Sequence, residues 1–142
     1  MTRIAIASDH AGFKLKDFLI QTLGYRYDFI DLGTNSESEG VDYNDYAVRV
    51  IKEVIKNNIF GVLICGTGIG MSIAANRHKG IRAALCDSSE AAKLTRQHND
   101  ANVLVLSGGK DFELSTKILE TFISTDFSNE ERHIRRVKKL SC

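Results

Sequence analysis

The residues that could do most chemistry per position lie in one stretch, Cys65-Gly66-Thr67-Gly68-Ile69-Gly70. An apolar run too short for a helix, Val62 to Ile64, precedes it, and small and apolar residues able to be helical follow, Met71 to Asn76. That order predicts a strand, a loop and a helix start. Glycines let main-chain amides approach a ligand closely, and amides at a helix N-terminus make a place for negative charge. A cysteine in such a place is favoured as a thiolate. The stretch therefore offers an anion cradle together with a base or nucleophile. It is not a Walker A loop, because no Gly-Lys-Ser/Thr closes it. The Gly-x-Gly-x-Gly pattern also differs from the dinucleotide-binding fingerprint and follows the third strand rather than the first, although Asp87 lies one βα unit downstream, where a ribose-binding acid would sit. A cysteine phosphatase would carry an arginine where Met71 stands. The competing structural reading is a tight turn beside a buried small hydrophobe.

Three further groups carry chemistry. Asp9-His10 is either a helix cap and its neighbour or part of a site shared with Cys65. His98, followed by Asn99 and Asp100, closes a predicted helix; it either complements the helix C-terminus or serves as an acid or base. Arg132 and Arg136 are four apart, share a helix face and are suited to clamp a phosphate. Asp9, His10 and His98 lack the spacing of a metal site, so no metal is expected.

The elements that must position these groups alternate. Strands are predicted at Arg3–Ser8, Tyr27–Leu32, Phe60–Ile64, Ile81–Cys86 and Asn102–Leu106. Between them fall helices with apolar faces: one with Ala11, Leu15, Phe18, Leu19 and Leu23, capped by Ser8 or Asp9 and ended by Gly24; Asp42–Asn57, with Ala47, Val50, Ile51, Val54 and Ile55 inward; a short one after the glycine loop, stopping near Lys79-Gly80; and Ser88–Gln97. Asp111–Ser124, with Leu114, Ile118 and Phe122 aligned, and a basic segment over 129–140 complete the pattern. Alternation implies an α/β fold with a parallel sheet covered on both faces. Ligands bind beyond the carboxyl ends of such strands, so Asp9-His10, the Cys65 loop, Asp87 and the turn Ser107–Lys110 are expected on one rim.

With 142 residues the chain is expected to be one domain with a sizeable core. A net charge of +1 and the lack of aromatics among the terminal basic residues argue against nucleic acid. No apolar run approaches the roughly 20 residues of a membrane span. Three cysteines, Cys65, Cys86 and Cys142, without a signal peptide, point to a reducing, cytoplasmic setting.

Taken together, Ser8-Asp-His-Ala-Gly-Phe13, Asp42-Tyr43, Ile64 to Asn76, Gly80-Ile-Arg-Ala-Ala84 and Arg96-Gln-His-Asn-Asp100 resemble the type B ribose-5-phosphate isomerases of the RpiB/LacAB family over nearly the whole chain. The resemblance implies a Rossmann-like three-layer α/β/α sandwich with a five-stranded parallel sheet. It also implies a homodimer or tetramer with sites at the subunit interface, a sugar-phosphate substrate, and no cofactor or metal. By position, Cys65 matches the proton-abstracting base of the cysteine-bearing branch. The segment Gly66, Gly68, Ile69 and Gly70 matches the loop at the reacting end, with Thr67 suited to support the enediolate. His98 matches the ring-opening group and Asn99 a substrate contact. Asp9, His10 and Tyr43 match further substrate contacts, and Arg132 and Arg136 the phosphate-binding arginines. Lys110 stands near a position where the family often carries arginine. The alternatives are an isomerase of allose or galactose 6-phosphate and a non-catalytic phosphosugar-binding module.

Overall fold

The computed structural model describes residues 1–140; Cys142 lies outside the described residues. Five strands, β1 (Thr2–Ser8), β2 (Tyr27–Asp31), β3 (Phe60–Cys65), β4 (Ala83–Leu85) and β5 (Val103–Ser107), form one parallel sheet in the order β2-β1-β3-β5-β4. The central strands are nearly continuous runs of Ile, Val, Leu and Ala because both faces are covered. On one face, Ile4, Ile6, Val62, Ile64, Leu104 and Leu106 meet α1 (Phe13–Leu23), α4 (Ser89–Asn99) and α5 (Phe112–Ser124). On the other, Ala5, Ala7, Leu63, Cys65, Val103 and Val105 meet α2 (Tyr43–Asn57) and α3 (Ile69–Asn76). The result is the expected Rossmann-like α/β/α sandwich. A last helix, α6 (Glu131–Lys139), lies against α4.

The departures from the sequence reading have local causes. The first helix begins after Gly12, not after Ser8 or Asp9; Asp9 Oδ1 instead accepts the Gly12 N–H at 3.0 Å, so Ala11 precedes the helix and is exposed. Gly24 ends α1 in a right-handed conformation. The short helix stops at Asn76, before Lys79-Gly80. β4 is three residues long because it is an edge strand whose entry is taken by a side chain: Asn102 Oδ1 accepts the Arg82 N–H at 2.9 Å. Ile55 and Leu114, placed inward by periodicity, are exposed. Conversely Lys16, polar by pattern, is buried, its Nζ donating to Asp31 Oδ1 at the end of β2.

Candidate active site

The sheet order puts a switch point between β1 and β3: the chain leaves β1 for α1 on one face and leaves β3 for α3 on the other. A crevice beyond the strand ends opens at such a place. The residues following both strands, Asp9-His10 and Cys65 to Gly70, border it.

The loop after β3 is held by β5. Gly108 N–H donates to the Cys65 carbonyl at 2.8 Å, and the Ser107 hydroxyl donates to the Gly66 carbonyl at 2.7 Å. Gly68 then takes a left-handed conformation, φ +80°, where a Cβ would sit 2.5 Å from a Leu85 methyl; only glycine fits. This reversal aims the Gly68 N–H at Cys65 Sγ, 3.2 Å away. Thr67 Oγ1 accepts the Ile69 N–H at 3.2 Å, and the first main-chain helical bond is Ser72 N–H to the Gly68 carbonyl. The Gly70 and Met71 amides of this first turn therefore have no protein acceptor among the described residues, as the geometry of helix starts requires. Cys65, 4% exposed, belongs to the α3-side core, and its sulfur meets the Gly68 N–H at the start of α3. Its surroundings join an apolar wall to the positive end of a helix.

Asp9 is buried, its N–H donating to the Ile64 carbonyl at 3.1 Å, so its main chain is tied to β3. His10 Nδ1 accepts the Val41 N–H at 3.2 Å; an acceptor at Nδ1 leaves Nε2 to carry the proton of a neutral ring. Tyr43 opens α2, and its ring lies against Gly70, where a Cβ would come within 2.8 Å. Lys110 borders a cavity of about 290 Å³ beside the loop, with Thr67, Ile69, Cys86, Asp87 and Ser107. Burial, and then the Asp87 carboxylate, push the Cys86 thiol up to about 11, so it is neutral at pH 7. Asp9, His10, Tyr43, the 65–70 loop, Asp87 and Lys110 thus share one rim, as expected.

His98, Asn99, Arg132 and Arg136 do not. α4 runs back along the sheet, and its last residues lie where the strands begin: Arg82, at the entry to β4, donates from Nε to the Asn99 carbonyl at 3.0 Å. Cys65 ends the six-residue β3, whereas Phe60 begins it and the next residue, Gly61, bonds Asn102 in the segment that follows α4. Five steps of about 3.3 Å put roughly 16 Å between the two edges. On this amino edge the His98 and His133 rings stack with centroids 4.4 Å apart. Ser128 Oγ lies 2.8 Å from His133 Nδ1, and the Ser128 N–H donates to the Gln97 carbonyl, tying α6 to α4. Burial lowers the pKa of His133, as do the charges of His98, Arg132 and Arg136, while Glu130 opposes them. Arg132 reaches Glu130 at 3.4 Å and, like Arg136, is exposed.

Sequence reasoning placed Ser107 in a rim turn without seeing its bond to Gly66, and passed over Lys16 and the stacking of His133 on His98. Among the described residues, no three His, Cys, Asp or Glu side chains converge as a metal would require, and no helix is long and apolar enough to cross a membrane.

The family described as Ribose/Galactose Isomerase matches residues 4–140. Ribose-5-phosphate isomerase B of Escherichia coli is 42% identical over 100% of this chain and 96% of its own. The crystal structure of ribose 5-phosphate isomerase B from Thermotoga maritima is 51% identical with a TM-score of 0.95, over 99% of this chain and 97% of that one. The Mycoplasma genitalium enzyme with bound ribulose-5-phosphate is 42% identical with a TM-score of 0.92, over 98% and 93% of the two chains.

Proposed function

The chain belongs to the ribose/galactose isomerase family, and on that premise we propose that it interconverts D-ribose 5-phosphate and D-ribulose 5-phosphate through an enediolate. The observation that carries this reading is the Cys65 sulfur facing the Gly68 N–H at 3.2 Å beside a helix start with open amides.

The chemistry is redox-neutral overall. Cys65, as thiolate, removes the C2 proton of the open-chain aldose. The C2–H electron pair becomes the C1=C2 bond, and the carbonyl pair moves onto O1. The proton returns to C1 while the O2 proton passes to O1, leaving a ketone at C2; hydrogen is conserved and no outside oxidant is needed. Fixed donors stabilise the developing oxygen charge, a role for the loop amides and the Thr67 hydroxyl. Asp9, His10, Tyr43 and the segment Gly66, Gly68, Ile69 and Gly70 hold the reacting end. His98 moves the proton that opens the furanose ring, Asn99 contacts the sugar, and Arg132 and Arg136 hold the phosphate. Remote binding of that kind aligns C1 and C2 with the base. Lys110 supplies a point charge near the rim.

Two edges roughly 16 Å apart cannot close on one five-carbon sugar. We therefore assign each site to two chains, the carboxyl edge of one and the amino edge of its partner, in a homodimer or a pair of dimers. Exposed Ile69, Ile73 and Leu85 beside the rim give such a partner apolar surface. The whole chain, 1–142, acts in this reading as one domain, and two free buried thiols suit a cytoplasmic setting.

The test is turnover by the purified protein, offered ribose 5-phosphate, allose 6-phosphate and galactose 6-phosphate separately and followed by ketose formation. The expected result is turnover of the pentose far above either hexose. Faster turnover of a hexose phosphate would move the substrate, and ligand-induced stabilisation without turnover of any would replace the enzyme with a binding module.

A further inference from the structure

Lys16 is fully buried, 1% exposed, and the proposed reaction gives it no part. Its Nζ donates to Asp31 Oδ1 at 2.6 Å. The same oxygen accepts the Gly33 N–H at 3.0 Å. One carboxylate oxygen thus joins α1 to the chain just after β2. From there the main chain continues beside β1: the Gly33 carbonyl accepts from Ser8 N–H at 2.8 Å, and Thr34 N–H donates to the Ser8 carbonyl at 2.9 Å. The segment then crosses to α2, held over α1 by Lys14–Glu37 at 3.3 Å, donates from Val41 to His10 and delivers Tyr43 against Gly70.

Stability alone is a poor reason for this arrangement. Lys16 is buried but the Asp31 side chain is 42% exposed, and an ion pair open to solvent on one side adds little to stability. What apolar residues cannot supply is a fixed acceptor for Gly33. We propose that Asp31 is a positioning residue: its Oδ1, which Lys16 meets from the interior, locks the β2–α2 segment at Gly33, and through it sets His10 and Tyr43 for the reacting end of the sugar. The proposal deepens the isomerase reading and rests on it for its kinetic consequence.

The experiment compares two double variants with the parent. Lys16→Met with Asp31→Leu removes both charges and the acceptor. Lys16→Met with Asp31→Asn removes the charges and keeps an oxygen for Gly33 N–H. Both are expected to melt near the parent temperature. The Leu variant is expected to raise the KM for ribose 5-phosphate about tenfold and to speed exchange of the Val41 and Thr34 amides, while the Asn variant keeps KM within about threefold. A folded Leu variant whose KM, kcat and Val41 exchange all match the parent would overturn the proposal. So would an Asn variant as impaired as the Leu variant. Were the parent itself inactive on sugar phosphates, the isomerase reading would fall, and amide exchange would still decide whether Asp31 holds the segment.

Discussion

The two edges of the sheet are built differently. On the carboxyl edge, the groups that face the proposed chemistry are short and held by main chain: the loop carbonyls at 65 and 66 are pinned by β5, and Asp9 is tied to β3. On the amino edge the corresponding groups are a stacked histidine and long, exposed arginines on a helix that touches the fold chiefly through α4. Bond rearrangement needs donors placed to fractions of an ångström, which a buried sheet supplies. Phosphate capture needs charge and reach, which a surface helix supplies. The contrast explains why one chain can carry both sets without uniting them.

The strongest way to break this contrast is to disable one edge at a time. Cys65→Ala is expected to lower kcat by about 1,000-fold or more, and His98→Asn to lower turnover of cyclic substrate by about 100-fold, with far less effect on open-chain substrate. If each site draws on two chains, co-refolding equal amounts of the two inactive variants creates mixed dimers with one intact site, restoring about a quarter of wild-type activity. No recovery above the parents would mean that each chain builds its own complete site.

Phosphate capture should show an intermediate effect. Arg132→Ala and Arg136→Ala are each expected to cost about 10- to 100-fold in kcat/KM, mostly through KM, since a charge-assisted pair is lost while the base is untouched. An equal loss in kcat with KM unchanged would move these arginines from holding the phosphate to the reacting end. The two thiols give a smaller contrast within the carboxyl edge. Cys86, pushed up to about 11, is roughly 0.1% thiolate at pH 8. Iodoacetamide should therefore label Cys65 before Cys86, with a phosphopentose slowing the Cys65 reaction; preferential labelling of Cys86 over Cys65, read by peptide mass, would contradict the assignment of Cys65.

Much of the carboxyl edge could be read in advance because its geometry is local. A strand, Cys-Gly-Thr-Gly, and a helix start dictate the turn, the amide cradle and the thiol within a dozen residues, and βα alternation alone puts Asp9-His10 on the same rim. The amino edge was legible as residues but not as a place. The pattern of α4 says that His98 ends a helix; it does not say that His133, 35 positions later, stacks on it. Lys16 failed for the same reason: helical periodicity sorts side chains by polarity, and the carboxylate that allows this lysine inside comes from another element. Ile55 and Leu114 were misplaced inward because an apolar stripe on a helix is wider than the surface it covers.

The smallest effect tests whether the amino edge is the looser one. His133 is held below the ordinary histidine value of 6.5 by burial first and then by His98, Arg132 and Arg136, against Glu130. Between its folded value and 6.5 the unfolded chain binds more protons at this residue than the folded one, so folding stability rises with pH. Its full contribution is present above about 6.5 and is lost as the pH falls toward the folded value. Carboxylates titrate lower in the same direction, so the informative quantity is a difference: from pH 7.5 to 5.5 the wild type should lose more melting temperature than His133→Gln, by a few degrees at most. The amide of Ser128, which bonds Gln97 across α4 and the segment before α6, should lose protection over that range, measured against the intrinsic exchange rate at each pH, while Gly108 N–H on Cys65 keeps its protection. Parallel melting curves for the two proteins would show that protonating His133 does not strain the join of α6 to α4. Equal loss of protection at Ser128 and Gly108 would show that the two edges loosen together.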